Sequence, residues 1–171
     1  LRVNAGGTAH EYADSGVIVG TAQSLSGTAV DFTGIPDEAN LIVVPFSGMS
    51  LSAGSYPILQ IGSGSVENTG YVSQSSQIYG LNSCSILSAT NGFGAALNGA
   101  AIAAEGAFIL ARLISNTWVC IHVGGTTAGV VMVAQGAGTK TLSGPLNSLR
   151  LTAANGTDVF DGGSANWLCW I

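Results

Sequence analysis

The sequence predicts an all-β protein, an antiparallel β-sandwich of jelly-roll-like form, and three observations carry that prediction. Short stretches of alternating apolar and polar residues recur from Val17 onward, Gly or Asn turns separate them at the close spacing of a sandwich, and no heptad or internal repeat appears. At 171 residues the chain is long enough to bury a full core as one domain without disulfides or metals.

The elements follow in order. Residues 1–14 read as a connector, in which Leu1, Arg2 and Val3 meet His10, Glu11 and Tyr12 across Asn4-Ala5-Gly6-Gly7; residues 15–171 read as the sandwich. Residues 28–33 put Val30 and Phe32 on one face and Asp31 on the other, the pattern of a half-buried strand. Residues 40–49 place Ile42, Val44 and Phe46 on one side and Leu41 and Val43 on the other, so cover on both faces is expected. Pro45 has no N–H to give to a ladder and predicts an edge position or a bulge there. Residues 56–61, 70–73 and 77–81 follow as shorter strands. The clearest hairpin joins 108–114 to 117–123 through Ser115-Asn116; Trp118, Cys120 and His122 share one face of its second arm, and Val119, Ile121 and Val123 the other. Residues 130–133, 146–152 and 165–171 complete ten or so strands. The Ala-rich stretch 95–105 reads as one helical turn or as a loop.

Composition narrows the class. The chain holds 4 Lys and Arg and 9 Asp and Glu, together 8% of its residues, against roughly 25% in an ordinary soluble domain. A folded monomer of this size would show one charge per roughly 600 Å² of surface. Ser, Thr, Asn and Gln supply part of the missing polarity, but a mean hydropathy of +0.46 leaves the cover incomplete. An obligate oligomer with an apolar interface is therefore expected. Gly interrupts every apolar stretch before it reaches the length of a membrane span, so no membrane insertion is expected, and neither a basic n-region nor a cleavable signal is legible. The four basic residues, Arg2, Arg112, Lys140 and Arg150, cannot form a cationic stripe, which excludes nucleic acid as a partner. Cys84, Cys120 and Cys169 are odd in number and set among apolar residues. They read as small buried thiols suited to a reducing cytosol, with one disulfide and a leftover thiol as the alternative.

Catalytic parts are scarce. Cys120 and His122 share a strand face, but side chains two apart on a strand run parallel, about 7 Å from each other, beyond the reach of a nucleophile and its base. Asp158 and Asp161 beside glycines superficially resemble a calcium loop, yet Asn155-Gly156-Thr157-Asp158 is ordinary turn chemistry. Gly62-Ser63-Gly64-Ser65 follows a strand without a Lys or a helix after it, the mark of a hairpin rather than a phosphate loop. No enzyme activity, cofactor or metal is expected. What remains is recognition. Tyr56, Tyr71, Tyr79 and Phe93 adjoin Ser-, Gly- and Asn-rich stretches, where rings either stack on sugars or anchor strand ends in the core. The loops holding Glu67, Asn68 and Tyr71, and Asn91 and Phe93, combine rings with amides and are the candidate receptor-binding residues.

Several blocks then point to one family. The opening L-R-V-N-A-G-G-T-A-H-E-Y, the run Asp31-Phe32-Thr33-Gly34-Ile35-Pro36 with Phe46-Ser47-Gly48 after it, Gln60-Ile61-Gly62, Glu67-Asn68-Thr69-Gly70-Tyr71, Asn91-Gly92-Phe93-Gly94, Asn116-Thr117-Trp118-Val119, Leu149-Arg150-Leu151-Thr152 and residues 155–164 follow one another across nearly the whole chain. In that order they resemble the C-terminal head domains of bacteriophage tail fibres. The resemblance implies a homotrimer of β-sandwiches on the remaining fibre shaft, with 1–14 as the shaft-to-head connector. It implies a virion protein, assembled in the host cytoplasm, that binds a host-cell surface receptor, with carbohydrate the class that the polar loops suit. A structural virion component, such as a capsid decoration or head fibre without a receptor site, is the alternative; a polysaccharide-cleaving tail spike lacks its β-helical repeat here. Ala39-Asn40-Leu41 stands where family members often carry a basic pair, and Leu168-Cys169-Trp170-Ile171 where they often end on a Tyr and an acid. That apolar tail predicts a last strand packed inside the fold or between subunits.

Overall fold

The computed structural model describes residues 2–3, 10–11, 16–80, 83–97, 99–100 and 102–171. Seventeen strands run through them in chain order: β1 (Arg2–Val3), β2 (His10–Glu11), β3 (Val17–Val19), β4 (Gln23–Ser24), β5 (Ala29–Thr33), β6 (Leu41–Leu51), β7 (Pro57–Ser63), β8 (Ser65–Val66), β9 (Val72–Tyr79), β10 (Ser83–Ala89), β11 (Phe93–Gly94), β12 (Ala103–Ile114), β13 (Thr117–Ala128), β14 (Met132–Thr141), β15 (Ser148–Ala153), β16 (Phe160–Ala165) and β17 (Leu168–Trp170). Every ladder between them is antiparallel, and no helix occurs among the described residues. The all-β antiparallel sandwich expected from the alternation is present. Strand β1 pairs with β2, while the Asn4–Gly7 turn of the connector lies outside the described residues.

The two layers are unequal. The large sheet runs β10-β9-β14-β13-β12-β6-β16-β4, with β17 laid between β6 and β3; the small sheet runs β11-β7-β15-β5, with β8 folded back on β7. One core lies between them. Strand alternation aims Ile42, Val44 and Phe46 of β6, Phe108 and Leu110 of β12 and Trp118 and Cys120 of β13 at Val30 and Phe32 of β5, Leu59 and Ile61 of β7 and Leu149 and Leu151 of β15.

Pro45 is not at an edge, and the bulge of its strand falls just beyond it, between Phe46 and Met49, where the register shifts against β12 and β16. β6 lies inside the sheet between β12 and the terminal strands, and β16 and β17 keep one register across Pro45, Ala165 facing Phe46 and Leu168 facing Val43. The ladder breaks at the residues between, because Pro45 has no N–H to donate, although its carbonyl still accepts from the N–H of Asn166 at 3.1 Å. The terminal strand is interior, as its apolar residues predict, with Cys169 fully buried.

Other expectations change in detail. The segments 70–73 and 77–81 join into the single strand β9, because Ser73, Ser75 and Gln77 point inward and find partners there. Of the two readings of the Ala-rich stretch the loop holds among the described residues: no helix lies between β11 and β12, Ala95 to Leu97 are buried, and β12 begins at Ala103. The hairpin turns at Ser115-Asn116, with Ser115 at φ +47°, but its arms are twelve residues each. Cys120 and Cys169 are buried free thiols; Cys84 is free but exposed, because it falls on the outward parity of the edge strand β10. Gly62 to Ser65 form the expected tight reversal, with Gly64 at φ +75°.

Candidate functional site

The small sheet carries a polar outer face whose residues the pairing brings into rows. Arg150 of β15 stands opposite Asp31 of β5 and Gln60 of β7; Thr152 stands opposite Ala29 and Ile58; Ser148 stands opposite Thr33 and Gly62. Because Leu149 and Leu151 point into the core, these three β15 residues point out. Three loops raise walls over the rows: Val66 to Asn68 after β8, Asn91 before β11, and Ala154 to Gly156 after β15. The result is a groove of about 460 Å³ over Gln60 and Thr152, continued past Arg150 and Val66 by a second hollow of about 400 Å³ over Thr33 and Ser148.

Local bonds hold the groove rigid. Gln60 Nε2 donates to the Asn91 carbonyl at 2.8 Å, Asn91 Nδ2 donates to the Ala154 carbonyl at 2.9 Å, and Thr152 Oγ1 donates to the Thr28 carbonyl at 2.7 Å. Asn155 closes its own turn, its Oδ1 accepting from the N–H groups of Thr157 and Asp158 and its Nδ2 donating to Asp158. Asp158 also accepts from the Ser55 N–H, and no metal-holding cluster occurs among the described residues. On the floor, Arg150 grips Asp31 through Nε and Nη2 at 2.6 and 2.8 Å. That bidentate bond holds the Asp31 carboxyl below its ordinary range and raises the guanidinium further. The floor therefore has a fixed dipole and no net charge. Ser148 Oγ is buried without a hydrogen-bond partner among the described residues. Amides, hydroxyls and a compensated guanidinium suit a hydroxyl-rich, uncharged ligand.

The five residues expected to bind receptor lie close together, but in two layers. Asn68 and Asn91 line the groove. Tyr71 and Phe93 lie beneath it at 2% and 1% exposure, edge to face with centroids 5.0 Å apart, so neither ring is available to a sugar. The reason is a polar anchor: the Tyr71 hydroxyl accepts from the Ile61 N–H at 2.8 Å and donates to the Glu67 carbonyl at 2.8 Å, drawing the ring under the β7–β8 corner. Burial drives its pKa up. Glu67 turns away from the groove toward Lys140, at 2.5 Å, and Ser143; burial opposes its charge, but these partners outweigh burial and lower its pKa. Lys140 in turn sits over the Tyr71 ring. Gln60, Arg150 and Thr152 were not among the expected site residues, although the alternation Ser148-Leu149-Arg150-Leu151-Thr152 announces a polar outer row.

His122 bonds to Ser75 and not to Cys120. Its Nε2 lies 2.9 Å from Ser75 Oγ, which also accepts from the Ala96 N–H, and both side chains are buried. Burial lowers the imidazole pKa to about 4 and pushes the Cys120 thiol up. Compared with protein-family models, with curated proteins and with solved structures, the chain has no match in any of the three.

Proposed function

We propose that this chain is the head domain of a bacteriophage tail fibre and that it binds a host-cell surface glycan through the groove on its small sheet. The observation that carries the reading is that groove. It is built by three loops on a rigid sheet, lined by amides and hydroxyls, and electrically neutral through the Arg150–Asp31 pair. The order of the sequence blocks supplies the viral half of the reading. Three heads on a shaft, and several fibres on a virion, would turn weak contacts into firm adsorption through effective concentration.

The test is binding of the labelled chain to a panel of bacterial cells and their purified surface polysaccharides. Saturable binding is expected, weakened at least tenfold by Asn68→Ala and by Arg150→Met with little change in melting. Light scattering should give a mass three times 17.1 kDa. Virions that carry the chain on the capsid, together with absence of binding across the panel, would favour the structural-component reading instead.

A further inference from the structure

The outer face of the large sheet is the opposite of the groove. Pairing aligns its outward residues in rows across six strands: Val43, Ile109, Ile121, Ala137, Gln74 and Ser88 in one, and Pro45, Ala107, Val123, Gln135, Ser76 and Ile86 in the next. The flanking rows run from Leu41 to Val72 and from Glu105 to Cys84. Across all four rows the single charged side chain is Glu105, at one end, where its Oε1 accepts from the Gly48 N–H. Ile121, Val133 and Ile78 are 50%, 55% and 58% exposed. Between Ile86 and Ile121 the small Ala137 leaves a trough of about 550 Å³.

We infer that this face packs against further copies of this chain. Six strands about 4.8 Å apart, paired over about seven residues of about 3.3 Å, make a face on the order of 550 Å² in projection. Side-chain relief brings its accessible area toward the roughly 800 Å² that each partner gives to a stable interface. Charge is depleted from this face, as it is from interface cores, while the charged Arg150 and Asp31 lie on the opposite layer. The border agrees: β10 is an edge strand in unbroken register with β9, without a Lys, Glu, Pro or bulge to guard it, and Ile86 on it is 77% exposed. A lipid surface fits poorly, because membrane-binding faces pair their apolar residues with Lys or Arg, and the six strands carry two cations, Lys140 and Arg112, both on the inward parity. An apolar sheet of this width must be covered as soon as it folds, and a second copy is the partner always present in equal amount. Two such faces can interdigitate as the layers of a sandwich do.

The experiment is light scattering of the purified chain at micromolar concentration, beside Ile121→Lys and Asn155→Lys. A wild-type mass that is a multiple of 17.1 kDa, a folded Ile121→Lys monomer and an unchanged Asn155→Lys assembly are expected. Should Ile121→Lys fail to fold, Val123→Thr keeps the β-branched shape and is expected to weaken association at least tenfold. A wild-type monomer overturns the inference, as does an Ile121→Lys or Val123→Thr protein that associates like wild type, or dissociation by Asn155→Lys. A monomer that sediments with phosphatidylcholine vesicles would assign the face to lipid. A dimer would keep this inference while overturning the trimer proposed above, and loss of glycan binding would leave it untouched.

Discussion

The two outer faces of this sandwich are built from the same element, an antiparallel strand with alternating side chains, and they present opposite chemistries. On the small sheet the outward row is Asp31, Arg150 and Gln60, walled by three loops; on the large sheet it is Val43, Ile109, Ile121 and Ala137, open and flat. With so few charges in the chain, their placement carries the information. The small sheet uses an ion pair to make a polar floor with fixed geometry, whereas the large sheet withholds charge from nearly every outward position. A recognition surface needs directional bonds that survive in water, and an interface core needs their absence.

The comparison breaks first at the base of the groove. Tyr71→Ala and Phe93→Ala should each cost about 3–5 kcal/mol of stability, as truncations of buried rings do, while Asn68→Ala above them stays within about 0.5 kcal/mol. Urea unfolding of the three variants reads this directly. Equal effects would mean that the rings are surface groups after all. Glu67→Ala leaves the buried Lys140 ammonium without its carboxylate, and a loss of about 3 kcal/mol is expected. A change near zero in the same unfolding assay would show that Lys140 reaches water.

Acid separates the two layers. The His122 pKa is lowered by burial from 6.5 to about 4, so between those values the unfolded chain takes up a proton that the folded chain refuses. Stability is therefore full above about pH 6.5 and falls by about 3 kcal/mol as the pH drops to 4. His122→Gln should flatten that slope in a pH series of urea midpoints. On the small sheet, Asp31 is held below 3.8 by Arg150, and its contribution is present above that pH and lost only as the pH falls further, through its folded value. The smallest effect belongs to this pair. Asp31→Asn should cost well under about 1 kcal/mol, because the partners are partly exposed, yet weaken glycan binding by freeing the Arg150 fork to turn. Unchanged binding with intact melting would remove the ion pair from the recognition site.

Much of this arrangement was legible in the chain. Alternation around Val30 and Phe32, and around Trp118, Cys120 and His122, assigned inner and outer faces correctly, since a half-buried strand writes its burial into every second residue. Sparse charge announced unprotected surface. The two candidate loops do meet, for Tyr71 touches Phe93. Their rings were misassigned because a Tyr beside Gly and Asn has the same sequence whether its hydroxyl meets a sugar or the backbone of Ile61 and Glu67. Cys84 was misjudged for a related reason: an apolar neighbourhood in sequence does not reveal that a strand is the edge of its sheet.

By itself, then, the sequence determined the class of structure, the strand faces and the scarcity of charge, all properties of neighbours along the chain. Only the tertiary structure decided where that scarcity falls. Asp31 and Arg150 meet across 119 positions of chain, Glu67 meets Ser143 across 76, and Pro45 is tolerated inside a sheet because the ladder to two distant strands is interrupted opposite it without a change of register. Such pairings depend on strand order, and strand order is set by which faces bury the most apolar area together, a sum over the whole chain that no local pattern contains.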